Sequence, residues 1–358
     1  MPSIIRAEQQ LKKLMEIVVQ QGASDLHLSV ARHPTLRVDG SLLPLASESV
    51  LTKKDLIDLC EALLNKEQLD SLQKNLQIDF TYELEGKMRF RVNVFYETGN
   101  LAAALRLIPY KIRTIEELSL PAILHQAIRH TQGLVLVVGP TGSGKSTTLA
   151  AMVDEINHTR TEHIITIEDP IEYIYQQDRC IINQREVFKD VRSFSDGLRG
   201  SFREDVDVML VGEMRDSDTI STTITAAETG HLVMATLHTN DSSQTIDRII
   251  DIFPASQQQQ IRSQLANILV AVISQRLIPR IGGGRVPAVE VLLNNDAVGN
   301  LIREGQIHQI VNVLDTSLDE GMISINRSLA ELVKEEQITL ESAEAYATDK
   351  QTLHILLR

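Results

Sequence analysis

The run Leu134-Val-Leu-Val-Val-Gly-Pro-Thr-Gly-Ser-Gly-Lys-Ser-Thr-Thr148 carries the residue types and spacing that point most directly to chemistry. Gly139-Pro140-Thr141-Gly142-Ser143-Gly144-Lys145-Ser146 meets G-x-x-x-x-G-K-[ST] at every position. Five apolar, mostly β-branched residues precede it as a buried strand, and Thr147 to Val153 continues it as a helix, the setting the motif requires. Glycines at 139, 142 and 144 let backbone N–H groups turn onto phosphate oxygens without Cβ clashes, and the helix N-terminus adds its positive dipole end. Lys145 is expected to reach the β/γ-phosphates of ATP, and Ser146 to offer a hydroxyl to Mg²⁺. Gly139 to Thr147 is therefore read as a nucleotide-binding loop.

Ligands of open α/β sheets bind beyond the carboxyl ends of the strands. After the strand 163–167 comes Glu168-Asp-Pro-Ile-Glu172; after 207–211 comes Gly212-Glu213-Met-Arg215-Asp216; after 232–237 comes His238-Thr-Asn240. Taken singly, these are a turn, a surface ion pair and a loop histidine. Together they bring carboxylates and an imidazole to the edge that holds the phosphate loop, where they can hold Mg²⁺, orient water and sense a γ-phosphate. Phosphoryl transfer also uses a cationic side chain beyond the loop lysine, often from a neighbouring subunit. Arg203 and Arg215 lie in the nucleotide half, and Arg89, Arg91, Arg106 and Arg113 lie ahead of it, either on a solvated strand face or reaching a nucleotide of the next protomer in a ring.

The elements that position these residues fall into two patterns. Residues 5–21 have helical spacing; 25–29 and 35–38 alternate as strands around the Asp39-Gly40 hairpin turn; 52–76 is helical with a break near Asn65-Lys66. Strands follow at 78–84, 88–96 and 101–108 around turns at Glu85-Gly86 and Thr98-Gly-Asn100, with Met88, Phe90, Val92 and Val94 on one face and Arg89, Arg91 and Asn93 on the other. This makes 1–108 an α+β domain, with 109–120 a linker punctuated by Pro109 and Pro121. From 121 to 295 helices and strands alternate, implying a mostly parallel sheet covered by helices. Residues 256–277 are expected as one long helix, 286–293 as a strand beyond Gly282-Gly-Gly284, and 296–358 as a helical region.

The 358 residues carry a net charge of −13, which counts against a chain that lives on nucleic-acid phosphates. A hexameric nucleic-acid motor and a small-molecule kinase were the other readings open to the loop. The first lacks a basic or aromatic-interleaved stripe, the second an arginine-rich lid. Cys60 and Cys180, the only two cysteines, form no C-x-x-C pair and are expected as buried free thiols. No apolar run approaches a membrane span, and the N-terminus has no export signal, so a cytoplasmic chain at most peripheral to a membrane is expected.

Gly139–Ser146, Thr166-Ile-Glu-Asp-Pro-Ile-Glu172, Val208-Met-Leu-Val-Gly-Glu-Met-Arg-Asp216 and Thr229-Gly-His-Leu-Val-Met-Ala-Thr-Leu-His-Thr-Asn240 resemble the Walker A, Asp, Walker B and His boxes of the secretion ATPases, and Ser24-Asp25-Leu-His27 resembles the opening of that family's N-terminal domain. The short chain without a tetracysteine insertion is most similar to the pilus-retraction ATPases of type IV pili. Ala297-Val-Gly-Asn-Leu-Ile-Arg-Glu304 resembles their A-I-R-N-L-I-R-E segment, with Gly299 in place of its first arginine. The resemblance implies a PAS-like N-terminal domain, a RecA-like P-loop ATPase domain and a C-terminal helical region. It implies a homohexamer at the cytoplasmic face of the inner membrane that binds a pilus platform protein, and a paralogous retraction ATPase as a further partner. It puts Glu213 at the Walker B acid, on Mg²⁺ and water, with Glu168 the candidate base. His231 and His238 fall in the His box as catalytic residues, and Arg91, Arg106 and Arg113 in the region that supplies arginines in trans.

Overall fold

The computed structural model describes residues 2–38, 40–85, 88–108 and 111–358. Asp39, Gly86 and Pro109, on which two expected turns and the start of the expected linker fall, lie outside them. The chain divides into two compact units, 1–111 and 112–358.

The first unit runs α1 (Pro2–Gln20), β1 (Asp25–Leu28), β2 (Thr35–Val38), β3 (Ser41–Pro44), α2 (Lys53–Leu63), α3 (Lys66–Asn75), β4 (Gln77–Leu84), β5 (Met88–Glu97) and β6 (Asn100–Ile108). Its strands form one antiparallel sheet in the order β3-β2-β1-β6-β5-β4. The break between α2 and α3 has a local cause. Thr52 with Asp55, and Asn65 with Gln68, each form a reciprocal capping box that satisfies the first N–H groups of a new helix. Leu11, Leu14, Met15 and Val18 of α1 and Leu56 and Leu59 of α2 bury against Leu26, Phe90, Val92 and Leu105 on one sheet face. Strand alternation sends Asp25, Arg91 and Arg106 to the other.

The second unit opens with α4 (Ile123–Ala127), β7 (Gly133–Val138), α5 (Lys145–Thr159), β8 (His163–Glu168), β9 (Ile181–Glu186), α6 (Phe194–Ser201) and β10 (Val208–Val211). It continues through α7 (Ser217–Glu228), β11 (Leu232–Leu237), α8 (Ser242–Asp251), α9 (Ala255–Ile268), β12 (Leu269–Pro279) and β13 (Arg285–Leu293). The helices α10 (Asp296–Glu304), α11 (Ile310–Thr316), α12 (Ile325–Lys334), α13 (Leu340–Tyr346) and α14 (Lys350–Leu357) close it. The seven-stranded sheet has the order β13-β12-β7-β11-β10-β8-β9, parallel except for β13. Strand β7 is buried throughout and feeds both cores: Leu134, Leu136 and Val138 face one, Val135 and Val137 the other.

Three details depart from the sequence reading. The expected helix over 256–277 ends at Ile268, and Leu269–Pro279 is a strand. An apolar run such as Leu269-Val-Ala-Val-Ile-Ser274 suits a buried helix or a buried parallel strand alike, and pairing with β7 on one side and β13 on the other decides for the strand. Residues 112–120, expected as linker, pack on the second unit, with Ile115 fully buried among Leu124, Met152 and Ile156. Strand β9 was not anticipated. Cys60 and Cys180 are buried free thiols, and burial pushes Cys60 up to about 12. Among the described residues no helix is long and apolar enough to cross a membrane.

Candidate nucleotide site

Strand β7 delivers the loop and α5 receives it. Gly139, Gly142 and Gly144 take φ of +145°, +78° and +93°, a region glycine enters without strain. A Cβ at Gly139 would sit 2.7 Å from Ser143 Oγ. The Ser143 hydroxyl is buried and has no hydrogen-bond partner among the described residues. Helix α5 starts at Lys145 with no side-chain cap on its first N–H groups. A concave, uncapped helix start with a spare hydroxyl donor and room for no Cβ fits a phosphate group.

Lys145 Nζ donates to Gly139 O at 2.8 Å and Pro140 O at 3.1 Å, and lies 3.4 Å from His238 Nδ1. Burial draws its ammonium below the ordinary pKa, against the opposing charges of Glu213 and Glu172. Pro140, Thr141 and Ser146 are exposed. Thr147 Oγ1 bonds the buried Tyr173 hydroxyl at 2.9 Å.

The carboxyl ends of β7, β11, β10 and β8 are adjacent in that order, so the loop, His238, Glu213 and Glu168 line one edge. His238 Nε2 is 3.3 Å from Glu213 Oε1, and Arg215 Nη2 donates to Glu213 Oε2 at 2.7 Å. Burial would raise Glu213, but Arg215 and His238 outweigh it and hold the carboxyl below its usual range. Glu168 goes the other way. Burial pushes it up to about 7, despite hydrogen bonds from Thr166 Oγ1 at 2.8 Å and Gln184 Nε2 at 3.4 Å and with the Glu172 charge adding to the rise. The two acids therefore have different chemistry at neutral pH: Glu213 is anionic, and Glu168 exchanges a proton. Among the described residues no three or more His, Cys, Asp or Glu side chains are placed to hold a metal ion on their own. A hydroxyl and one carboxylate, as at Ser146 and Glu213, suit Mg²⁺, which takes few protein ligands beside water and substrate phosphate.

The structure does not gather every expected residue. His231 stands at the amino end of β11, opposite to His238, with Nδ1 2.9 Å from Ala226 O and its ring 5.9 Å from that of Phe202. The intervening strand puts roughly 20 Å between the two histidines. Arg113 belongs to the nucleotide unit, and its charge acts on the Tyr173 hydroxyl that bonds Thr147, an arrangement within one chain. Arg106 Nε donates to Asp25 Oδ1 at 2.8 Å and Arg91 Nη2 to Asp79 Oδ2 at 3.2 Å, both in the first unit. Arg203 is exposed after α6.

Several contributors were not read from the sequence. Gln184 of β9 reaches Glu168, and its place in the alternation Ile182-Asn-Gln184 was the available signal. Ser274 Oγ donates to Asn240 O at 2.8 Å, and the buried Glu290 accepts from Ser242 N at 2.8 Å and Ser242 Oγ at 2.7 Å, fixing the segment after His238. No local pattern marks those two.

A family model described as "Type II/IV secretion system protein" matches residues 4–288. The type IV pilus retraction ATPase PilT of Pseudomonas aeruginosa is 45% identical over 333 residues, 93% of this chain and 96% of that protein. The type IV pilus ATPase PilU of the same organism is 37% identical over 350 residues, 98% of this chain and 91% of that protein. The crystal structure of the pilus retraction motor PilT with bound ADP superposes with a TM-score of 0.87 at 45% identity, covering 96% of this chain and 98% of that one. The chain belongs to the type II/IV secretion system protein family, as an ATPase of its pilus-retraction branch.

Proposed function

We propose that this protein works as a homohexameric ring at the cytoplasmic face of the inner membrane, bound to a pilus platform protein, and that it spends ATP on withdrawing pilin from the pilus base. The observation that carries the reading is the continuous chain Lys145–His238–Glu213–Arg215, which ties the phosphate loop to an ionised acid beside a second acid poised near pH 7. The loop N–H groups from Gly142 to Thr147 and Lys145 Nζ hold the β/γ-phosphates. The Ser146 hydroxyl and Glu213 would hold Mg²⁺, which would supply neutralisation of phosphate charge. Glu213 orients the attacking water, and the Glu168 carboxylate takes its proton. Ser274 and Glu290 hold the segment after His238 in place while Lys145 turns from loop carbonyls to phosphate.

Arg91 and Arg106, from the sheet face of one protomer, serve the nucleotide of the next, while Arg113 acts on the nucleotide of its own chain. The higher identity to PilT than to PilU favours the principal over the accessory retraction motor, with a paralogue of the PilU kind as a further partner. The net charge of −13 disfavours nucleic acid as the track. Deletion in the source organism tests the reading. Excess surface pili with loss of twitching is expected, and loss of piliation overturns it.

A further inference from the structure

Gln275 lies 132 positions after Ser143 and outside every box that marks the nucleotide site. On β12, Ser274 pairs with Val138, so Gln275 runs beside the start of the phosphate loop. The residue is 3% exposed. Its Nε2 donates to Ser143 O at 2.8 Å, and its Oε1 accepts from Thr148 Oγ1 at 2.7 Å. A carbonyl can only accept, so the bond to Ser143 O fixes which end of the amide faces the loop. The loop is shaped to this neighbour: a Cβ at Gly144 would come within 2.8 Å of Gln275 Nε2, and one at Gly139 within 2.3 Å of Gln275 O. Two glycines read from sequence as room for phosphate are also room for β12.

A trans peptide points its C=O and the following N–H to opposite sides. Holding Ser143 O against β12 therefore turns Gly144 N–H away from β12, to the loop's other side. The Thr148 bond ties the same amide to the first turn of α5, so the loop tip and the helix start are set as one piece.

We propose that Gln275 is a positioning residue for nucleotide binding: it presets the Ser143–Gly144 peptide so that Gly144 N–H meets a phosphate oxygen. The inference rests on the phosphate-loop reading. The bond is made equally in ground and transition states, so its loss weakens binding more than it slows turnover.

The test is titration of the purified full-length protein with fluorescent ADP, paired with ATPase kinetics. Gln275→Met keeps the volume and removes both bonds; Gln275→Glu keeps the acceptor for Thr148 and removes the donor to Ser143. Both are expected to raise the ADP Kd and the ATP KM by roughly ten- to a hundredfold, the loss of one hydrogen bond to a charged group, with kcat within about threefold. Thr148→Val should raise Kd severalfold and add nothing to Gln275→Met. A purely structural role would lower Tm and leave Kd unmoved, so folded glutamine variants that bind ADP within about twofold of the parent overturn the proposal. If neither folds, Thr148→Val decides alone, unchanged affinity overturning it. Lys145→Ala separates the two readings. Unaltered ADP binding in Lys145→Ala sinks the phosphate-loop reading itself. Loss there with retention in the Gln275 variants sinks only the positioning role.

Discussion

His238 presents Nε2 to Glu213 Oε1 at 3.3 Å, while its Nδ1 lies 3.4 Å from Lys145 Nζ. An ammonium has only donors, so Nδ1 is the acceptor, and in a neutral ring the proton sits on Nε2, facing the carboxylate. The tautomer is thus assigned by the two partners. If Lys145 turns to a phosphate, Nδ1 loses this donor while Nε2 keeps its Glu213 partner.

His238→Ala should therefore separate binding from turnover. ADP affinity is expected to stay within a few fold, because the loop and Lys145 are intact, whereas kcat should fall about a hundredfold, the order seen when one positioned polar group is removed. Single-turnover hydrolysis measured beside equilibrium binding checks this, and equal losses in both would contradict it. His231→Ala, across the sheet, should leave single-turnover chemistry within about threefold of the parent.

Glu168 gives a pH signature. As the proposed base it would work only when ionised, so kcat should rise with pH through about 7, and Glu168→Gln should abolish that rise together with most of the activity. Stability runs with the opposite sign. The folded pKa is raised from 4.5 to about 7, so the contribution is full below pH 4.5 and is lost as pH climbs through 7. Glu168→Gln should accordingly gain stability relative to the parent between those values, by on the order of 3 kcal/mol at most above pH 7. Denaturation at pH 4.5 and pH 8 measures it, and a constant difference would rule out a buried titrating carboxyl.

The phosphate loop, Glu168, Glu213 and His238 were legible because each directly follows a run of apolar strand residues, and sheet topology then brings those strand ends together. What stayed hidden reaches the site across the sheet. Gln275 and Ser274 sit in an apolar run whose period does not distinguish strand from helix, so no sequence pattern aligns them with Gly139. Within the His box the geometry divides the two histidines. His231 and His238 look adjacent in the sequence, but a strand lies between them and sends them to opposite edges. The residues 112–120 looked like part of a linker between Pro109 and Pro121, but Ile115 and Leu120 are buried in the core of the second unit.

A second pH effect belongs to His125. Its Nδ1 lies 2.7 Å from Glu155 Oε1 on α5 and its Nε2 2.9 Å from Glu116 Oε1 in the segment 112–120. The bond to Glu155 raises its pKa against an opposing burial effect, and the charges of Glu155 and Glu116 add to the rise. The stabilisation is therefore fully present below the unfolded value and disappears as pH rises through the higher folded value. His125→Phe should lower Tm at pH 6 and have a clearly smaller effect at pH 9. A pH-independent loss would mean that the ring contributes only packing.

The arginine row on the first unit gives the test of a shared site. Across the sheet Asp25 pairs with Arg106, Arg106 with Arg91, and Arg91 with Thr81, a line of neighbours on the face away from the helices. The Arg106 side chain is 58% exposed although Asp25 holds its Nε, so its terminal nitrogens remain available to a partner molecule. An ion pair this exposed on one side contributes little to folding, and Arg106→Ala should shift Tm by no more than a few degrees. If it serves the neighbouring nucleotide, its effect on hydrolysis should be large, on the order of a hundredfold or more, as for arginines supplied in trans. Mixing distinguishes trans from cis. Arg106→Ala and Lys145→Ala proteins are each expected to be inactive alone. Reassembled together at equal amounts, random rings would unite an intact loop with an intact neighbouring arginine at about one interface in four, restoring a corresponding share of activity. A mixture as inactive as its parents would assign Arg106 to its own chain's nucleotide or to none.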